Sequence, residues 1–396
     1  MTDVGRRLRE IRSWRGLTLR EAAGLAGISY SYLGQIERGE KPVDNRRMLE
    51  GIATALRVSP VELTGKPYAP AIAAEAETLA SFTALGDMLT GWWVGEVPDT
   101  PPRPWEAVHA DFARLNEDLR PRSDYAAQAA MLPELVRELL VYAADADHRE
   151  QALTGLVQVY HASGALAARL GFAGLPTVAV ERMHAAAAQL GDPVWVAATA
   201  WARAHLLSGT DRRRQYALAV QVADTAPRER PETRGMANLT AALAAAAQGD
   251  ADTAKTHLAE AAAVAETIEP DVSPWPPSMM AFGRTNVAIW KTSIGVELGD
   301  GAAVEQHAKD IKLESITVSR QAGFWVDLGR GLLSERRTRE RGLAALLRAE
   351  RLAPQQVHTN VFAREAVGDQ LRSARRDAGG RELRGLAWRM GVAPAG

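Results

Sequence analysis

The sequence predicts an all-α protein in two parts, a five-helix head over residues 1–66 and a long stack of helix pairs behind it. Three observations carry that prediction. Helix start signals follow one another at short intervals through the first 66 residues. Beyond residue 104 apolar residues recur at helical spacing, with no convincing strand pattern. Turns at Gly171, Gly209, Gly249, Gly299 and Ser334 then punctuate the chain at steps of 38, 40, 50 and 35 residues.

In the head, Val4, Leu8 and Ile11 make the apolar stripe of a first helix, with Arg6, Arg7, Arg9, Arg12 and Arg15 around it. Thr18 and Glu21 form a capping box that starts the second helix. Ala23 is small enough for a close helix crossing, and Gly27 suits a turn needing positive φ. Ser29 can cap the third helix, which Leu33 and Ile36 pack onto the second. Asp44 can cap a fourth, whose inward side is Leu49, Ile52, Ala53 and Leu56. Ser59-Pro60-Val61-Glu62 combines a second capping box with proline at the first helical position of a fifth.

The run from Thr18 to Gly39, with Gln35-Ile-Glu-Arg-Gly39 the most specific part, resembles the helix-turn-helix of the XRE (lambdoid-repressor-like) family over residues 4 to 65. That resemblance implies an operator in double-stranded DNA as partner, with the third helix in the major groove. Carried over, the reading positions are Tyr30, Ser31 and Gln35, with Ser29 near a phosphate. Gln35 is the best direct reader, because an amide pairs bidentately with adenine. Tyr30 departs from the polar residue often found there and suits a thymine methyl or a stacking contact. Thr18 and Arg20 are implied to meet the DNA backbone at a helix N-terminus. Lys41, Arg46 and Arg47 are further phosphate candidates, and Arg12 and Glu37 occupy positions that pair structurally in the family.

Charge is unevenly spread. Residues 1–66 carry 12 Lys+Arg against 8 Asp+Glu, and residues 333–396 carry 13 against 7. Residues 67–332 carry 22 against 33, so a basic head sits on an acidic body that should stay off DNA. With only 6 lysines against 41 arginines, a single arginine is weak support for nucleic-acid binding. There are no cysteines, which excludes disulfide and thiol chemistry. No secretory signal and no run of 18 apolar residues is present, so the expectation is a cytoplasmic protein without membrane contact.

Residues 67–104 read as a linker, with proline-rich punctuation at Pro67–Pro70, one helix near 72–90, and a loop or second hinge at Val97–Pro104. Residues 105–396 read as the repeat domain. Its turns are followed by expected helices at Ala254–Ala262, Val304–Ile311 and Gly342–Leu352, and two helices near 356–378 and 380–390 would close the stack. The glycine spacing resembles degenerate tetratricopeptide repeats, and implies an α-solenoid for sensing and dimerisation. The stretch Glu269–Pro277 accounts for the longest step as an insertion.

An XRE head before such repeats resembles peptide-sensing quorum-sensing regulators, in which asparagines on inner helices grip a peptide. That implies a peptide or small-molecule effector on Arg234, Asn238, Arg284 and Asn286, with Trp275 at the rim. The eight histidines are scattered, and no catalytic, nucleotide-binding or metal-binding motif emerges, so neither cofactor nor enzymatic activity is expected. The functional expectation is a homodimeric, ligand-responsive transcription regulator. The alternative is a DNA-tethered scaffold that holds a partner protein in its groove.

Overall fold

A computed structural model describes residues 3–65, 73–207, 211–309, 311–374 and 380–392. The expected punctuation at Pro67–Pro70 and the turn at Ser208-Gly209 lie outside the described residues. The described chain is all-helical apart from turns and one isolated bridge between Val94 and Glu96.

Five helices make the head: α1 (Asp3–Trp14), α2 (Leu19–Ala26), α3 (Tyr30–Glu37), α4 (Arg46–Leu56) and α5 (Pro60–Thr64). Local chemistry sets their ends. Thr18 Oγ1 accepts from the Glu21 amide (3.2 Å), while the Thr18 amide donates to the Glu21 carboxylate (2.8 Å). Gly27 ends α2 in the left-handed region, at φ 68°, where any Cβ would cost energy. Ser29 caps α3 through the Tyr32 amide (3.1 Å). The cap of α4 is Asn45 rather than Asp44: its Oδ1 accepts from the Met48 amide, while Asp44 accepts from the Asn45 side chain. Leu8, Leu33, Ile36, Ile52, Leu56 and Leu63 fill the core and are almost fully buried. Removing each from water is worth about 1.5–3 kcal/mol. Arg12 and Glu37 form a two-bond ion pair (2.5 and 2.9 Å) that ties α1 to the end of α3.

The body starts with α6 (Ala73–Gly91). This helix belongs to the segment expected as a linker, yet it packs on α8 (Tyr125–Tyr142) and α10 (Leu175–Leu190), and its Phe82, Leu85 and Leu89 join their core. Between them lies α7 (Trp105–Arg114), which continues into a π-helical turn over Leu115–Leu119. The proline-rich stretch before α7 is pinned rather than hinged. Arg103 bonds Glu138 through its amide and guanidinium (3.0, 2.8 and 2.7 Å), and its carbonyl accepts from Tyr142 (2.6 Å).

Then α9 (Arg149–Arg169), α11 (Pro193–Leu206), α13 (Pro231–Gln248) and α15 (Arg284–Leu298) pack in succession, α9 on α11, α11 on α13 and α13 on α15. Partners α10, α12 (Arg212–Thr225) and α14 (Ala251–Ala265) lie between them in sequence and pack against them. Alanines make this close approach workable: Ala237, Ala241, Ala244, Ala254 and Ala261 are fully buried. Gly235 lets the Phe282 ring lie on α13, since a Cβ there would stand 1.9 Å from it. The α-helix expected at Val304–Ile311 is a 3-10 turn over Gly301–Gln306. Its carbonyl at Gly301 and side chain at Val304 rest directly on Gly331 of α16 (Val318–Leu333), and Gly301 itself has φ 56°. The chain ends with α17 (Arg339–Leu352), α18 (Pro354–His358), α19 (Val361–Ala374) and α20 (Arg381–Arg389).

A strap closes the arrangement. Pro121 accepts from the Ser319 amide (2.6 Å), Ser123 donates to Gln356 (2.6 Å), and the Ala126 amide donates to Gln355 (3.0 Å). The start of α8 is thereby joined to α16 and α18 across more than half of the sequence.

Candidate nucleic-acid interface

Most of the side chains expected to meet DNA on and around α3 face solvent. Thr18, Arg20, Ser29, Tyr30, Ser31 and Lys41 are exposed, with Tyr30 at 56%. Gln35 is half-buried one turn further along α3. Leu33, Ile36 and Glu37 on the opposite side hold the helix to the head, so the orientation of the open face is fixed by packing.

Arg46 and Arg47 are oriented differently, and Arg46 needs correction as a phosphate candidate. Its amide donates to Glu297 at the end of α15 (2.8 Å), and its guanidinium bonds the same carboxylate. Arg330 of α16 approaches Glu297 at 3.4 Å and donates to the Asp44 carbonyl (2.6 Å). Burial raises the Glu297 carboxyl, but Arg46 and Arg330 outweigh it and hold the group below the ordinary carboxylate range. Arg212 adds a fork onto Glu50 of α4, with bonds of 2.6–3.1 Å. Phe362 of α19 packs on the head core with Arg46 and Arg330 over its ring, at 5.4 and 4.5 Å. Arg47 is exposed but lies against Gly249, the left-handed cap of α13. The C-terminal ends of α13 and α15 carry the partial negative charge of their free carbonyls, which suits arginines there.

Of the five residues expected to line a ligand groove, four are engaged in contacts within the protein. Asn238 is buried, donates to the Arg234 carbonyl (3.1 Å) and bonds His257 (2.9 Å), which in turn meets Tyr216 (3.1 Å). It therefore ties α13 to α14 and α12. Asn286 is fully buried and donates to the Met280 carbonyl (3.2 Å). Arg284 is held by Asp271 (2.9 Å) and Glu269 (3.2 Å) of the insertion, and Arg234 is exposed. Trp275 stacks at a tilt on Trp195 (5.5 Å), beneath Arg230. The insertion is an ordered wedge. Ser273 accepts from Trp275 and donates to Glu232, while Met279, Met280 and Phe282 enter the core.

Among the described residues no helix is long and apolar enough to cross a membrane, and no group of three or more His, Asp or Glu could hold a metal ion. The head residues 3–64 match the family described as Helix-turn-helix domain. The chain is also similar to the HTH-type transcriptional regulator DdrOP3 of Deinococcus deserti. The two are 36% identical over 93 residues, which covers 22% of this chain and 72% of that protein. No solved structure matches the chain.

Proposed function

We propose, for a chain that belongs to the HTH-type transcriptional regulators, that α3 reads an operator through Gln35, Ser31 and Tyr30 while the body governs how the head is presented. The observation that carries this reading is the division of labour within the head. The face bearing Tyr30, Ser31 and Gln35 is open, whereas α4 is clamped to the body by Glu297, Arg330 and Arg212. Ser29, Thr18, Arg20 and Lys41 contact phosphates around that face, and Arg46 does not.

The functional division runs at 1–66 for the DNA-binding head and 105–396 for the body, with 67–104 joining them and lending α6 to the body. The body is a tetratricopeptide-like superhelix. The succession α9, α11, α13, α15, with left-handed glycine caps at Gly249 and Gly299, supports that assignment. Because the head is held by ion pairs rather than swung on a free tether, a change within the body reorients it directly. Two copies place two heads on a site with two-fold symmetry, where recognition helices must lie about 34–36 Å apart. A small effector that prefers one arrangement of the body shifts that spacing.

Selection of bound sequences from random duplexes with the full chain, repeated with Gln35→Ala, tests the reading. A symmetric site whose base preference changes at one position per half-site is expected. Recovery of the same preference from both proteins overturns the assignment of α3. Light scattering at DNA-saturating concentration checks the dimer, and a monomeric mass removes it.

A further inference from the structure

Around the 116–121 segment, Arg120, Arg169 and Arg320 have no carboxylate within ion-pair distance among the described residues, and the segment's own Asp118 is paired with Arg122. Arg120 donates to Asn116 Oδ1 (2.7 Å) and bonds His161 Nδ1 (2.8 Å). The hydrogen bond from Ser319 to Pro121 brings the backbone at Arg320 beside that at Arg120, each being the chain neighbour of one bonded residue, and both charges act on His161. Arg169, at the end of α9, adds a third positive charge that acts on both Arg320 and His205.

Among the described residues none of these three guanidinium groups has a carboxylate partner. Two other mostly buried arginine side chains do have carboxylate partners, Arg12 with Glu37 and Arg212 with Glu50. Burial pushes Arg120 down to about 9, and burial with Arg169 pushes Arg320 down to about 10. Burial, then Arg120, His205 and Arg320, holds His161 well below its ordinary value. For His205 the leading influences are burial and then the charges of Arg320, Arg169, Arg212 and Arg46.

Four rings run through the same place. His161 stacks on Trp201 (5.7 Å), Trp201 on His205 (5.2 Å), and His205 meets Trp290 (6.0 Å). Trp290 is only 6% exposed, and its indole N–H has no hydrogen-bond partner; neither has the enclosed Nδ1 of His205. Unpaired cations and an unfilled donor in an enclosed place are costly unless something else completes them.

We propose that this face is a binding site for a small oxyanion, a carboxylate or phosphate ester, gripped by Arg120 and Arg320 with the Trp290 indole N–H as a further donor. An anion there satisfies groups the protein leaves unsatisfied, and guanidinium forks match the geometry of both oxyanions. The cavity of about 350 Å³ lined from α7, α8 and α9 offers no such chemistry: it holds Trp105, His109, Phe112 and Glu150, with neither arginine nor lysine. The site is the effector site of the regulator proposed above, and rests on that reading for its consequence at DNA though not for anion binding itself.

The test follows thermal unfolding of the full chain in inorganic phosphate or in succinate, against chloride at matched ionic strength. A saturable rise of about 3 °C in at least one of the two is expected, and the responding arm identifies the headgroup. Arg320→Gln should abolish that rise and leave the unliganded chain no less stable, whereas Arg20→Gln should keep it. Arg169→Gln, which should at least halve the rise, replaces Arg320→Gln should the latter not fold. No rise in either anion, or an equal rise in the arginine variants of the body, overturns the proposal. DNA affinity is read separately on the same proteins. Lost DNA binding with an intact anion response would overturn the regulator reading alone, and the converse would overturn the anion site alone.

Discussion

Glu297→Gln should loosen the head from the body while leaving both folded. The Glu297 side chain is fully buried and compensates Arg46, 29% exposed at its side chain, and Arg330, 5% exposed. Removing one member of a buried pair costs about 3–5 kcal/mol, because the remaining charge is stranded. The partial exposure of Arg46 and the acceptor retained by glutamine place the effect at the low end, about 3 kcal/mol. At about 1.4 kcal/mol per factor of ten, that is roughly a hundredfold increase in local opening. The Arg46 amide is a direct reporter, since its hydrogen donates to Glu297. Hydrogen exchange followed by mass spectrometry should show peptides covering the start of α4 and the end of α15 exchanging about a hundredfold faster, with α3 and α9 unchanged. Unaltered exchange at both places in a folded variant would refute the clamp. Uniform acceleration everywhere would show that the pair holds up the whole fold instead.

Other outcomes follow from the same geometry. Gln35→Ala should cost about 1–3 kcal/mol on the selected site, measured by titration against a duplex altered at the contacted base. Arg20→Ala should flatten the salt dependence of DNA binding by about 0.9 in log–log slope, whereas Arg46→Ala should leave that slope unchanged. Burial raises the Glu297 carboxyl, but Arg46 and Arg330 outweigh it and leave the folded pKa below its ordinary value, so the clamp is at full strength above the ordinary carboxylate range and is lost as pH falls through the lower value. The hydrogen-exchange difference between native protein and Glu297→Gln should therefore narrow in acid. His161 and His205 lie below 6.5 when folded, His205 at about 3, so stability should fall as pH drops below about 6.5. The slope approaches about 1.4 kcal/mol per pH unit for each histidine. Urea midpoints at pH 7 and pH 5 check this, and His205→Gln should remove one proton from the slope.

The head was legible because its signals are local. Thr18 with Glu21, Gly27 with Ser29, and Ser59 with Glu62 settle helix ends within three residues, and the structure uses each of them. Gly249 and Gly299 likewise end helices as the spacing implied. What escaped the sequence is whatever depends on distant partners. Arg46 reads as one more arginine after a recognition helix until Glu297, 251 positions away, is seen to hold it. Asn238 and Asn286 recur in α13 and α15, but amides that recur in packed helices serve equally well to fasten helices together. The 3-10 turn at Gly301–Gln306 replaced an α-helix because Gly331 of α16 admits its backbone, which no local pattern announces. Arg120 and Arg320 carried no motif at all: their significance lies in the carboxylates that are not beside them.

The strap from Pro121, Ser123 and Ala126 to α16 and α18 changes how the chain must be synthesised and lost. An open row of helix pairs can fold unit by unit and tolerate trimming at its end, since each unit touches only its neighbours. Here the start of α8 finds its hydrogen-bond partners only after residue 356 has been made, roughly 230 positions later. Early helices must therefore wait, incompletely satisfied, while roughly 230 further residues are added. Removal of α18–α20 would be felt at α8, and the body should melt as one cooperative block rather than fray from its C-terminal end.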